Sequence, residues 1–196
     1  MKKAEATRRM ILQKAFELIY VNGYQSTSVD DIIATTKVTK GAFYYHFNSK
    51  DDMGLAIINE ILKPSLAAGF IAPLHTGESP ADAIYNLMYG LLLKNKFMKP
   101  EYGCPASNLT QEMAPWNTAF NKALNKLTGD WEKAMAAVIE KGKKDGVFRK
   151  EVNAKQATLF IMSGYWGIRN FGKLGNSKKA YLGYLAELKS YLKNLQ

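Results

Sequence analysis

Residues 27–50 read TSVDDIIATTKVTKGAFYYHFNSK, and their spacing predicts two short helices joined by a tight turn. Ser28 stands three residues before Asp31, a capping-box interval in which each side chain can bond the other's free backbone N–H, so the first helix starts at about Val29. Val29, Ile32 and Ile33 give that helix one buried face, and Thr35 and Thr36, weak interior helix formers, lead out of it. The second helix opens near Thr39, a candidate N-cap, and Phe43 and Phe47 fall four apart on a core-facing stripe. Rotation by about 100° per residue then leaves Gly41, Ala42, Tyr44 and Tyr45 outside, where packing has no use for two tyrosines.

Such an outer face suits a DNA groove. Gly41 and Ala42 carry almost no side chain, so the backbone can approach base edges in a major groove about 12 Å wide, while Lys40 can reach guanine acceptors and Tyr44 a thymine methyl. Tyr45, His46, Lys50 and the Thr27 hydroxyl suit phosphate oxygens, which fix register without reading sequence. Ser28 and Thr39, at the two helix starts, complete the candidate DNA-binding set.

Working outward, Ile11, Leu12, Ala15, Phe16 and Ile19 predict a helix over about residues 4–22, with Gly23 as its C′ residue. After the reading helix, Ser49 and Asp52 repeat the capping-box interval, and Met53, Ala56, Ile57, Ile61 and Leu62 continue a long helix toward Pro64, which is expected to kink it. The stretch PLHTGESP at 73–80 is a loop, and Ser79-Pro80 starts a helix carrying Ile84, Leu87, Met88, Leu91 and Leu92. Another long helix is expected over 116–144, with Phe120, Leu124, Leu127, Trp131, Met135 and Val138 on one side. A further helix follows Asn153, in which Gly164 and Gly167 are expected to permit close approach. Ser177 can cap the last helix. The fold class is all-α.

Gly23-Tyr24 before the first helix of the pair and Tyr44-Tyr45-His46-Phe47 in the second, with Thr27, Val29, Ile32, Lys40, Gly41 and Lys50, resemble the signature of the tetracycline-repressor (TetR/AcrR) family over about residues 8–55. Lys37 stands where that family usually has the turn glycine. A non-glycine residue held left-handed there costs roughly 1 to 2 kcal/mol. Gly103-Cys104-Pro105 resembles an element found in one branch of the family. The resemblance implies a helix-turn-helix head over 4–64, which includes the start of the connecting helix, and an effector-binding and dimerisation domain over 65–196. It also implies a homodimer on a double-stranded operator, released by a small molecule.

For that effector, taken as apolar or aromatic, the candidate contacts are Met88, Tyr89, Trp116, Phe120, Trp131, Tyr165 and Trp166, with Asn108, Gln111, Glu112 or Asn117 as polar orienters. The last two helices are too broadly apolar for one neighbour, and the resemblance places the dimer interface there: Phe160, Ile161, Gly164, Ile168, Tyr181, Leu185, Leu188 and Leu192. Two reading helices related by a two-fold axis would match a palindrome.

Composition is consistent with these readings. The net charge is +10, and before residue 51 eight basic side chains stand against four acidic ones, which favours a polyanionic partner. A single cysteine excludes an intrachain disulfide framework. The amino end lacks an uninterrupted apolar stretch, and no run of 18 apolar residues occurs, so neither an export signal nor a membrane span is expected and the cytoplasm is the expected compartment. Two histidines, one cysteine and no phosphate-loop or dinucleotide glycine pattern argue against an enzyme, a metal site or a cofactor. The rival reading is a constitutive dimeric regulator without an effector.

Overall fold

The computed structural model describes residues 3–175 and 177–196, and among them nine helices and no strand. They are α1 (Lys3–Asn22), α2 (Val29–Thr36), α3 (Lys40–His46), α4 (Lys50–His75), α5 (Pro80–Tyr89), α6 (Pro105–Met113), α7 (Thr118–Lys144), α8 (Ala154–Gly172) and α9 (Ser177–Asn194). The helices fall into two compact units: the chain up to Pro64 with Pro105–Leu127, and Ser65–Cys104 with Thr128–Gln196. The division expected from sequence, at residue 64, assigns 105–127 to the body. By packing, α6 and the first part of α7 belong with the head.

In the first unit Ile11, Leu12, Ala15, Phe16 and Ile19 of α1 are buried, and α1 ends where the Gly23 N–H donates to the Ile19 carbonyl at φ +90°. That backbone region is open to glycine at little cost. The second capping box forms only in part. Ser49 Oγ accepts from the Asp52 N–H, but Asp52 accepts in return from the Asn48 N–H, one residue earlier.

Pro64 does not end α4. The helix widens on either side of it, at Ile58–Leu62 and Ala67–Ile71, where the N–H groups of Lys63 and Ala72 bond carbonyls five residues back. Wide turns of this kind accommodate a residue that cannot donate to the regular ladder. By length and apolar composition α4 is also the one helix among the described residues that would reach across a membrane. The sequence reading did not single it out because Glu60 and Lys63 interrupt the apolar run. Its first half is anchored in the head by buried Met53, Ile57, Ile58 and Leu62.

The second unit is held by the expected stripes: Ile84, Leu87, Met88, Leu91 and Leu92 after Pro80, and Trp131, Met135 and Val138 on α7. A Cβ on Gly164 would lie 2.7 Å from the Tyr184 ring, so this glycine is what lets α8 and α9 approach, and the Tyr184 hydroxyl donates to the Ile161 carbonyl at 3.1 Å. Gly167 does not share that role: a Cβ there meets nothing within 4 Å.

Candidate nucleic-acid interface

The α2–α3 pair is set by local bonds. Ser28 Oγ accepts from the Asp31 N–H while Asp31 Oδ2 accepts from the Ser28 N–H, closing the capping box, and this hydrogen bonding holds the Asp31 carboxyl below its usual range. Lys37 ends α2 in the left-handed region, φ 56° and ψ 23°, with its N–H on the Ile33 carbonyl. The turn therefore keeps the geometry a glycine would adopt. Thr39 Oγ1 accepts from the Ala42 N–H and starts α3.

On α3, Phe43 and Phe47 are fully buried, their ring centroids 5.6 Å apart, while Tyr44 is 46% and Tyr45 77% exposed. Gly41 is exposed and Ala42 and His46 are half-buried. A protruding face of one glycine, one alanine and two tyrosines results, as the stripe requires. Nothing but the Thr39 side chain lies near Gly41, so the backbone there is open to approach.

Four of the basic and hydroxyl groups have partners within the chain. Thr27, expected to offer its hydroxyl to phosphate, is buried, and Oγ1 donates to the Gly23 carbonyl at 2.7 Å. It closes the turn that follows α1 rather than facing solvent. Lys40 Nζ pairs with Asp30 at 2.9 Å, which raises its pKa, but both side chains are largely exposed. Solvent screens a pair so exposed, so it biases the amine without sequestering it. Lys50 Nζ sits 4.4 Å above the Tyr24 ring, where burial lowers its pKa. Arg8, on α1, pairs through both terminal nitrogens with Glu60 at 2.6 and 2.7 Å and lies over the Phe47 ring.

A network that sequence reasoning missed fixes the head from behind. The Tyr24 hydroxyl donates to Asp51 Oδ1 at 2.6 Å and Asn117 Nδ2 donates to Asp51 Oδ2 at 2.9 Å. Burial, then this carboxylate, pushes the Tyr24 phenol well up. Glu112 accepts the Gln25 N–H at 3.0 Å, and the Tyr24 and Phe120 rings meet edge to face. A Cβ on Gly54 would fall 2.5 Å from the Phe120 ring, so α4 and α7 touch there. The hydrogen-bonded partners among these are 27 to 87 residues apart, beyond the reach of any periodicity.

Two family models match. Residues 11–57 fit the bacterial regulatory proteins of the tetR family, and residues 80–185, more than half of the chain, fit the tetracyclin repressor-like C-terminal domain. The chain belongs to the TetR family. It is 34% identical over 130 residues, 66% of each chain, to an HTH-type transcriptional regulator in the lacX 3'region of Lactococcus lactis subsp. lactis. It is 23% identical to the HTH-type transcriptional repressor DhaR of Mycobacterium sp. (strain GP1), covering 82% of this chain and 79% of that one. A TetR transcriptional regulator from Chloroflexus aurantiacus J-10-FL shares the fold, with a TM-score of 0.88, 23% identity and coverage of 98% and 97%. TetR-family regulators bind DNA through the helix-turn-helix head, and that function, rather than catalysis, comes with membership.

The other candidate sites are partly redrawn in this TetR-family chain. Trp116 lies in the turn before α7, 82% exposed, and Phe120 packs in the head unit against Tyr24. Gln111 donates to Ser107, Glu112 serves the Gln25 N–H, and Asn117 caps α7 by accepting from the Ala119 and Phe120 N–H groups. With Asn108, all of these belong to the head unit. They are parts of the scaffold, not of the cluster formed by Trp131, Tyr165 and Phe70, whose rings meet edge to face with centroids 5.2 to 5.9 Å apart. Met88 is buried in the body, and Tyr89 and Trp166 are half-buried.

Among the dimer candidates, Ile161, Tyr181, Leu185, Leu188 and Leu192 are buried within the single chain and cannot form an intersubunit surface. Gly164 is filled by Tyr184 and Ile168 is half-buried. Phe160 is 60% exposed, and Leu159, Phe171 and Leu174 are exposed with it.

Proposed function

We propose that this protein is a homodimeric repressor that places two copies of α3 in successive major grooves of a palindromic operator and is released by a small, largely apolar or aromatic effector bound in the body. The observation that carries the reading is the division of α3: Phe43 and Phe47 buried, Tyr44 and Tyr45 exposed beside Gly41. Lys40 and Tyr44 read base edges, and Tyr45, His46, Ser28, Thr39 and Lys50 contact the phosphate backbone. Residues 4–64 carry recognition, and residues 65–196 carry effector binding and dimerisation.

Phe160 and Phe171 lie about three turns apart on one face of α8, with Leu159 beside the first and Leu174 just beyond the helix, and a second copy would cover these exposed apolar groups isologously. Two heads on one such dimer bind half-sites about one helical turn, roughly 34 to 36 Å, apart.

The test is selection of bound fragments from random duplexes, followed by titration of the selected operator. Palindromic enrichment supports the proposal, and enrichment of single, unrepeated sites overturns the dimeric mode. Lys40→Ala is expected to relax preference at one base pair, and Tyr45→Phe to weaken specific and random DNA alike. Equal losses for Lys40→Ala on both would remove its assigned role.

A further inference from the structure

The two carboxylates that open α2 have different surroundings. Asp31 closes the capping box with Ser28, whereas Asp30 takes no part in it and holds its Oδ1 2.9 Å from Lys40 Nζ on α3. Among the described residues this is the one ion pair that joins the two helices. Asp30 is 73% and Lys40 61% exposed at the side chain, so the pair is not part of the core, and neither helix needs it to start, since Ser28 and Thr39 supply the caps. An exposed carboxylate beside a DNA-reading lysine is repelled by every phosphate and lowers affinity for any duplex. Its place is explained by what it does to the lysine.

We infer that, with Lys40 reading a base edge as proposed above, Asp30 is the residue that makes this reading selective: it directs the Lys40 ammonium toward guanine in the major groove and penalises any duplex that offers no acceptor there. A lysine is a point charge on a flexible stem, and its three donors turn as readily to a phosphate as to a base. One donor held by Asp30 leaves two for guanine O6 and N7 and restrains the stem from swinging to the backbone. In the free protein solvent screens the pair, but between protein and duplex much of that water is displaced and the attraction strengthens. Where no guanine accepts from Lys40, the repulsion between Asp30 and the phosphates is left without compensation, so wrong sequences are rejected as well as the right one favoured. Asp30 touches no base in this arrangement and acts through Lys40 as a positioning residue.

The test uses the full-length protein and the operator recovered by selection, with each base pair of one half-site substituted in turn and a random duplex titrated alongside. Lys40→Ala locates the base pair that Lys40 reads. Asp30→Asn, similar in shape and outside the cap, is expected to lower discrimination at that same base pair about five- to tenfold. It is also expected to raise affinity for the random duplex about two- to tenfold and to steepen the salt dependence by about one ion per half-site. In a Lys40→Ala background Asp30→Asn changes the base preference no further, because the two residues act as one unit. Unchanged discrimination at the Lys40 position, unchanged affinity for the random duplex, or relaxation at a base pair that Lys40→Ala leaves alone overturns the role of Asp30 and leaves base reading by Lys40 in place. A Lys40→Ala protein that relaxes no base pair removes the reading by Lys40 and the role of Asp30 with it.

Discussion

The α2–α3 pair and the α8–α9 pair are both read from sequence as helices with one face for the core and one for a partner, yet the structure treats them differently. On α3 the stripe of Phe43 and Phe47 is narrow, so Tyr44 and Tyr45 have nowhere to go but out. On α8 and α9 the apolar arc is wide, and the protein's own core takes Ile161, Tyr181, Leu185, Leu188 and Leu192, leaving Phe160, Phe171 and Leu174 exposed. A narrow apolar stripe names its complement by exclusion. A wide arc shows how much surface is covered and not by which neighbour.

The sharpest way to break this contrast is to truncate the buried member of each pair and then the exposed one. Phe43→Ala removes a fully buried ring and is expected to cost about 3 to 5 kcal/mol, read as a fall in the denaturant midpoint. Tyr45→Ala, two residues away and mostly exposed, is expected to stay within about 0.5 kcal/mol of the parent while losing operator affinity. Comparable stability losses for the two would show that the exposed face is not free.

On α8 the corresponding pair is Ile161→Ala and Phe160→Glu. The first opens a core cavity at a cost of about 2 to 5 kcal/mol, and the second is expected to leave protomer folding intact and dissociate the dimer in sedimentation. A Phe160→Glu protein that sediments as the parent does would move the dimer contact off this face.

Smaller effects separate local chemistry from packing. Lys37 is the one described non-glycine residue at positive φ, so Lys37→Gly is expected to relieve up to about 1 kcal/mol of strain, partly offset by glycine's extra entropy when unfolded. A destabilised Lys37→Gly protein would mean that the lysine stem stabilises the turn by more than its backbone strains it.

What the sequence made legible follows from how far each determinant reaches. The caps at Ser28, Thr39, Ser79 and Asn153 span three residues, and each is seen where it was expected. Helix faces need a window of about two turns, and those of α1, α3 and α7 were readable. Thr27 was misread because the bond from its hydroxyl to the Gly23 carbonyl competes with solvent and leaves no mark on hydropathy. Asp51 between Tyr24 and Asn117, and Glu112 under Gln25, join segments distant in sequence, and a single chain carries no periodic signal for such pairs. The bonds that engage the polar effector candidates Gln111, Glu112 and Asn117 were illegible for the same reason. Asn117 and Glu112 are short of hydrogen-bond partners in sequence and amply supplied in the fold.

The smallest expected effect tests whether Arg8 belongs to the scaffold or to the DNA face. Its hydrogen bonds and charge hold the Glu60 carboxyl below the ordinary carboxylate range in the folded protein. A depressed folded pKa means that the unfolded chain binds protons first, so the pair's contribution is present above the unfolded glutamate pKa, about 4.3, and is lost as pH falls through the lower folded value. Both side chains are a third or more exposed, so screening keeps the contribution below about 1 kcal/mol. Glu60→Gln should therefore flatten the stability profile below about pH 5 and cost little above it, and it frees Arg8. If Arg8 is scaffold, operator affinity at neutral pH stays unchanged in Glu60→Gln. If the freed guanidinium finds phosphate, affinity rises and its salt dependence steepens by about one ion, which would place α1 in the DNA contact after all.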